Sequence, residues 1–196
     1  IKMLVIACNT STAYALDSLT DAFRFPILGL INPGSLAALR KTKNNRIGII
    51  GTKATIESGA YTKNLKKHNP EVGVFSAPCP LFVPLVEEGR ESDDPIVKLV
   101  VETYLEPLRN ASIRVIVLGC THYPLLKHPI AAVAHDLSAD PVPVVDSAEA
   151  TASRVAELID DERIIGIREP SDAPRLELLV PDLPASFDSA ARRFLG

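Results

Sequence analysis

The alternation of short apolar runs with longer helical patterns constrains the fold of this chain more than any other feature. The runs are rich in β-branched residues and are mostly apolar throughout, which is typical of parallel strands covered on both faces. Seven strands are predicted, at residues 3–7, 27–30, 47–50, 72–75, 115–118, 142–145 and 176–180. Strands that alternate with helices in this way predict an α/β protein with mainly parallel sheets flanked by helices.

Two of the intervening helices are predicted from their N-terminal caps. Asp94 is an N-cap residue and Pro95 suits the first helical position, which predicts a helix from there to about Arg109. Asp146 and Ser147 predict the start of another helix near the C-terminal side of the chain. Its apolar residues, at helical spacing, predict an inner face made of Ala148, Ala152, Val155 and Ile159.

Two cysteines lie in matching local contexts. Cys8 and Cys120 each end an apolar strand pattern, and each is followed by a small polar residue and then a helical pattern. In open α/β sheets, ligands bind outside the carboxyl ends of the strands. Two similar βα units therefore predict two similar lobes, which bring both thiols to one cleft.

A cysteine at a strand-to-helix junction lies near a helix N-terminus, where the dipole favours the thiolate. A thiolate can act as a nucleophile, a metal ligand or a base, whereas a buried apolar cysteine is the structural alternative. The matching contexts favour function for Cys8 and Cys120. Cys79 lies between two prolines, without polar neighbours suited to catalysis, and is interpreted as structural.

Polar residues beside these junctions are candidates for binding an anion. Asn9, Thr10 and Thr121 directly follow the two cysteines and could hold a carboxylate at a helix N-terminus. Thr52 and Thr55 lie at a third strand-to-helix turn, where helix capping explains them equally well.

His122 lies two residues after Cys120, where it could favour the thiolate or stabilise nearby negative charge. A surface histidine is the alternative. Glu87 could orient His122 as a carboxylate partner, although the spacing of the two residues does not establish this.

Composition excludes several classes of function. The net charge of −3 gives no indication of nucleic-acid binding, which normally needs a basic face. Three cysteines without a Cys-x-x-Cys pair or a ligand cluster favour a reduced cytoplasmic protein without a metal site. No nucleotide-binding glycine motif, membrane span or secretion signal is recognisable, so no cofactor and no membrane association are expected.

Five segments resemble the signature blocks of the aspartate/glutamate racemase family, and of glutamate racemases in particular. They are 7–13 (ACNTSTA), 51–56 (GTKATI), 58–61 (SGAY), 79–87 (CPLFVPLVE) and 118–125 (LGCTHYPL). The blocks occur in the family's order, and the resemblance continues to the C-terminal RFLG at 193–196.

The resemblance implies a cofactor-independent enzyme that inverts Cα of glutamate with two cysteines, the product D-glutamate supplying peptidoglycan synthesis. Cys8 would act on the D-enantiomer and Cys120 on the L-enantiomer, with His122 and Glu87 assisting Cys120. Inversion by proton transfer needs an acid/base group on each face of the carbon, which agrees with this arrangement. The residues implied to contact substrate are Asn9, Thr10, Thr52, Thr55, Thr121 and His122. Homodimers are common in the family.

The expected architecture is two pseudo-symmetric α/β lobes with the active site in the cleft between them. The first lobe is expected to contain residues 1–31 and 141–196, and the second 32–140. The family's N-terminal strand, with its Asp-Ser turn, and its Tyr-Gly pair are not found here, and Ile1 lies within a strand pattern. We therefore expect further residues upstream, whose Asp would assist Cys8.

Three other functions fit parts of the pattern. Aspartate racemase belongs to the same wider family. A non-catalytic ligand-binding relative would keep the scaffold and bind glutamate without exchange, because fold does not fix function. A thiol hydrolase would pair Cys120 with His122, but it leaves the second matching cysteine unexplained.

Overall fold

The computed structural model describes residues 1–136 and 141–161, together with Glu177 and Leu179. The chain divides into two units, Ile1–Ile164 and Ile165–Gly196, and both sheets lie in the first. Apart from Glu177 and Leu179, the strand predicted at 176–180 lies outside the described residues.

The described part of the chain contains six strands, and each is parallel to the strands it pairs with. They are β1 (Leu4–Ile6), β2 (Ile27–Gly29), β3 (Arg46–Gly51), β4 (Gly73–Pro78), β5 (Ile116–Gly119) and β6 (Val144–Asp146). β1 and β2 form one sheet, and the other four form a second sheet in the order β4-β3-β5-β6. The predicted α/β class with parallel sheets is confirmed.

Helices connect the strands and flank the sheets. They are α1 (Asn9–Ala22), α2 (Ile31–Lys41), α3 (Lys53–Glu57), α4 (Ala60–His68), α5 (Phe82–Glu87), α6 (Pro95–Leu105), α7 (Lys127–Asp136) and α8 (Ser147–Asp160). Two 3₁₀ segments, Glu106–Ala111 and Tyr123–Leu126, precede β5 and α7. Among the described residues, no helix is long and apolar enough to cross a membrane.

The larger sheet is buried on both faces, as its continuously apolar strands predict. On one face Ile49 and Val117 pack in a cluster that includes Leu65 of α4. On the other face Ile50 and Leu118 belong to a second cluster formed with α5, α6 and α7. Successive strand residues point to opposite faces, so a run that is apolar at every position serves both clusters.

The larger sheet includes a strand from the C-terminal part of the chain. β6 pairs with β5 through the neighbours Val117 and Val145, although residues 141–196 were expected in the first lobe. The helix that follows, α8, packs against α2. The division into lobes of 1–31 plus 141–196 and 32–140 remains a prediction.

The helix that begins at Pro95 is shorter than predicted. Asp94 caps it as expected, accepting a hydrogen bond from the backbone N–H of Ile96 at 2.7 Å. The α-helix ends at Leu105 instead of near Arg109, and a 3₁₀ segment follows. Pro107 explains the early end, because it lacks the N–H that an α-helical bond to residue 103 requires.

The predicted inner face of α8 is wrong. Ser147 and Thr151 are its buried residues, whereas Ala148 and Ala152 are exposed and Ile159 is 51% exposed. The buried hydroxyls are satisfied, because Ser147 donates to the carbonyl of Leu118 and Thr151 to that of Ser147. Small hydroxyl residues allow close helix packing, which apolar periodicity does not detect.

Replacing Gly119 by alanine should destabilise the protein by about 2 kcal/mol, within the range of overpacking costs. A Cβ at this position would lie 2.9 Å from the backbone oxygen of Ile50 on β3, and a paired strand cannot move aside easily. Gly73→Ala is the matched control, because its Cβ would meet the movable ring of Phe75 at 3.2 Å. Urea unfolding measures both, and equal losses would contradict the prediction.

Candidate functional site

Cys8 lies at the junction of β1 and α1, as the sequence predicts. It is the N-cap of α1, and its Sγ accepts a hydrogen bond from the backbone N–H of Ser11 at 3.5 Å. Partial burial disfavours the thiolate, but hydrogen bonds from Ser11 and Thr10 outweigh it, so the pKa of Cys8 lies below its ordinary value. The side chain is exposed, so this thiol can meet a ligand from solvent.

Cys120 follows β5, but its surroundings differ from those of Cys8. The α-helix α7 begins only at Lys127, after the 3₁₀ segment, because Pro129 cannot donate the α-helical bond to Leu125. The expectation of a dipole-lowered pKa at Cys120 is therefore wrong. Burial raises the pKa of Cys120, and the charge of nearby Cys8 raises it further, against hydrogen bonds from the backbone of His122 and Tyr123.

His122 and Glu87 are brought together beside Cys120. His122 Nδ1 lies 3.9 Å from Cys120 Sγ, and its Nε2 lies 3.3 Å from Glu87 Oε1. The His122 side chain is 28% exposed and that of Glu87 is 64% exposed, so the carboxylate lies at the solvent end of this row. The geometry is that of a thiol, an imidazole and an orienting carboxylate.

Three threonine hydroxyls form a triangle that includes Thr10, which lies two residues after Cys8. Thr10 Oγ1 lies 3.0 Å from Thr52 Oγ1 and 2.9 Å from Thr55 Oγ1, and Thr52 and Thr55 are 3.0 Å apart. Thr52 also caps α3 by accepting from the N–H of Thr55, so capping and site placement coincide. Each hydroxyl can rotate, so the cluster can turn donors toward a bound carboxylate.

Asn9 is fixed by two residues that the sequence did not single out as site residues. It is 1% exposed, accepts a hydrogen bond from the Tyr61 hydroxyl at 2.7 Å and donates one to Ser147 Oγ at 3.2 Å. Tyr61 belonged to a recognised sequence block, and Ser147 was assigned only to the start of a helix. Their separation from Asn9 along the chain left no local signal for the contact.

Thr121 and Cys79 complete the predicted set. Thr121 is half-buried and directly follows Cys120. Cys79 is fully buried, and its Sγ lies 3.5 Å from the carbonyl of Ala77. Burial raises the pKa of Cys79 to about 12, which suits its interpretation as a structural residue.

The arrangement supplies two acid/base groups with opposite tendencies. Hydrogen bonds lower the pKa of Cys8 and burial raises that of Cys120, so Cys8 is the thiol that loses its proton more easily. A thiolate can take a proton and a thiol can give one. The hydroxyl triangle and the amide of Asn9 contain groups that can donate hydrogen bonds to an anion. Among the described residues, no three His, Cys, Asp or Glu side chains are grouped to hold a metal ion.

Comparison with known proteins assigns this chain to a protein family. The Asp/Glu/hydantoin racemase family matches residues 1–155. Glutamate racemases of Geobacter metallireducens and Aquifex aeolicus are 45% and 48% identical over all 196 residues. In both cases the whole of this chain corresponds to 70% of the relative's length.

A solved glutamate racemase structure has a similar fold. The crystal structure of glutamate racemase from Francisella tularensis in complex with D-glutamate superposes with a TM-score of 0.88. It is 33% identical in sequence, and the match covers all of this chain and 70% of that one.

Proposed function

The chain belongs to the Asp/Glu/hydantoin racemase family, a family of isomerases, and we propose that it interconverts L- and D-glutamate by proton transfer at Cα without a cofactor. The observation that carries the proposal is the placement of two thiols, Cys8 and Cys120, directly after β1 and β5. Hydrogen bonds at the start of α1 lower the pKa of Cys8, and burial raises that of Cys120. Inversion requires one thiolate and one protonated thiol, and Cys8 is the thiol of the two that loses its proton more easily.

In the proposed reaction, the Cys8 thiolate takes the Cα proton of D-glutamate, and its S–H bond forms as the Cα–H bond breaks. The Cys120 thiol then gives its proton to the opposite face of the carbanion, which yields L-glutamate and a Cys120 thiolate. The reverse reaction begins from the Cys120 thiolate. His122 favours that thiolate by taking the Cys120 proton on Nδ1, and Glu87 stabilises the imidazolium.

Substrate binding is proposed for the polar residues around the two thiols. Because glutamate carries carboxylates, and the carbanion at Cα spreads charge onto one of them, aligned donors stabilise both the substrate and the transition state. The residues proposed to supply these contacts are Asn9, Thr10, Thr52, Thr55, Thr121 and His122.

The test is racemisation of L-glutamate in deuterated water, followed by circular dichroism and by NMR of the Cα position. Inversion should proceed with deuterium entering the D-product. Binding of glutamate without exchange would favour a non-catalytic relative instead. Faster turnover of L-aspartate than of L-glutamate would favour aspartate racemase, so both substrates are compared under one condition.

The activity should follow a bell-shaped pH profile in kcat/KM. Its acid limb reports protonation of the Cys8 thiolate and should lie below the ordinary thiol pKa of about 8.5. Its base limb reports loss of the Cys120 proton and should lie above that value. Because the two thiols interact, the charge of each thiol also shifts the apparent pKa at which the other one titrates.

The two directions provide an internal control for this profile. Because enantiomers have equal free energies, kcat/KM must be the same for L- and D-glutamate at every pH. An acid limb above about 8.5 would contradict the proposed environment of Cys8.

The cellular role proposed for the product follows from the resemblance to glutamate racemases. D-Glutamate would supply peptidoglycan synthesis, with the enzyme acting in the cytoplasm as a homodimer. Light scattering of the purified protein tests the dimer, and depletion of the protein in its host tests the need for D-glutamate.

A further inference from the structure

A series of buried hydrogen bonds links Tyr61, Asn9 and Ser147 and ends on β5, the strand that precedes Cys120. The Tyr61 hydroxyl donates to Asn9 Oδ1, and Asn9 Nδ2 donates to Ser147 Oγ. Ser147 Oγ in turn donates to the backbone carbonyl of Leu118 at 3.0 Å. Asn9, Ser147 and Tyr61 are 1%, 1% and 3% exposed, so water does not compete for these bonds.

The backbone carbonyl of Leu118 fixes which atom donates in each hydrogen bond of this series. The oxygen of Leu118 can only accept, so the single hydroxyl proton of Ser147 is committed to it. Ser147 Oγ must therefore accept from Asn9, which places Nδ2 toward Ser147 and Oδ1 toward Tyr61. A flipped amide would place two acceptor oxygens against each other in a buried position, which is costly.

The same hydrogen bonds connect elements that are distant in sequence. Asn9 lies in the first turn of α1 beside Cys8, Tyr61 lies on α4, and Ser147 lies at the start of α8. Gly34 of α2 closes the space behind them, because a Cβ there would lie 3.3 Å from both the Tyr61 hydroxyl and Ser147 Cβ. The orientation of the Asn9 amide thus depends on side chains from two other helices.

We propose that Tyr61 and Ser147 are positioning residues that fix the Asn9 amide, so that its second Nδ2 hydrogen is held ready for a substrate carboxylate. The inference rests on the proposed racemase function, in which Asn9 contacts glutamate. Only one of the two Nδ2 hydrogens is used by Ser147. A fixed amide donates this second hydrogen without first being ordered, which lowers the entropic cost of binding.

The variants that test the inference remove one hydroxyl each. Tyr61→Phe and Ser147→Ala should each raise KM for glutamate about tenfold, with kcat changed less than threefold. A loosened Asn9 loses binding in both the ground and transition states, which raises KM. A purely structural defect reduces the fraction of active enzyme, which lowers kcat and leaves KM unchanged.

Thr151→Val is the matched control, because it also removes a buried hydroxyl from α8. Thr151 is 4% exposed, and it donates within the helix to the carbonyl of Ser147 at 2.7 Å instead of to Asn9. Its KM for glutamate should equal that of the unmodified protein, whatever the loss in thermal stability.

Coupling to Asn9 gives a second readout. In an Asn9→Ala background, adding Tyr61→Phe should change kcat/KM less than twofold, because the group being positioned is gone. Additive effects, or an unchanged KM in both single variants of a fully active protein, would overturn the positioning role alone. Failure of the unmodified full-length protein to racemise glutamate would overturn the proposed function. In that case, the Kd of glutamate from calorimetry still tests the positioning role, which predicts a tenfold rise in each variant.

Discussion

Replacing either Cys8 or Cys120 by serine should lower kcat/KM for racemisation by about 10³-fold, within the range expected for losing a positioned acid/base group. A serine hydroxyl is a far weaker acid than a thiol, so at Cys8 it does not supply a thiolate equivalent near neutral pH. At position 120 it leaves the carbanion without a matched proton donor. Both directions of reaction must lose the same factor in kcat/KM, because the enantiomers have equal free energies.

The two serine variants should differ in the exchange that they retain. With Cys120 replaced, the Cys8 thiolate can still remove and return the Cα proton of D-glutamate, so deuterium should enter that enantiomer only. With Cys8 replaced, exchange should be confined to L-glutamate. NMR of each enantiomer in deuterated water separates these outcomes.

Cys79→Ala is the matched control for both serine variants. Cys79 is fully buried, and burial holds its pKa near 12, so its removal should reduce stability without reducing the rate. Racemisation that persists in a Cys8→Ser, Cys120→Ser double variant would contradict the two-thiol mechanism. A comparable loss of rate in Cys79→Ala would show that the effect is structural.

Replacing His122 by asparagine should lower kcat/KM about 10²-fold, the smaller end of the range for an acid/base contribution. His122 Nδ1 lies 3.9 Å from Cys120 Sγ, so it is placed to take the thiol proton when Cys120 must become the base. Burial already disfavours the Cys120 thiolate. Without the imidazole, Cys120 also loses the group that is placed to take its proton. Steady-state rates with both enantiomers measure the effect.

Replacing Glu87 by glutamine should have a smaller effect than replacing His122, a loss of about threefold to tenfold in kcat/KM. The carboxylate stabilises a His122 imidazolium, but its own charge raises the pKa of Cys120, so the two contributions oppose each other. Its side chain is 64% exposed, and solvent screens the interaction further. A Glu87 effect larger than that of His122 would contradict this order of roles.

The class of the fold and the positions of most elements can be predicted from patterns along the chain. Continuously apolar runs located the six described strands. In the inner strands of the larger sheet, β3 and β5, successive residues belong to two different apolar cores, so neighbouring positions are both apolar. Asp94 and Asp146 marked helix starts correctly, because capping is a contact between residues two or three apart. The positions of Cys8 and Cys120 after strands could also be predicted, because they depend only on the residues next to them in sequence.

How these positions are combined in one site follows from the packing of the folded chain. Their local contexts match, but Cys8 caps a long helix, whereas Cys120 is buried ahead of a 3₁₀ segment, which separates their pKa values. The contact between Glu87 and His122 depends on how α5 packs beside the end of β5. The bonds of Asn9 to Tyr61 and Ser147 likewise span 52 and 138 residues. Periodicity and capping encode neighbours along the chain, whereas strand order and helix packing select the neighbours in space.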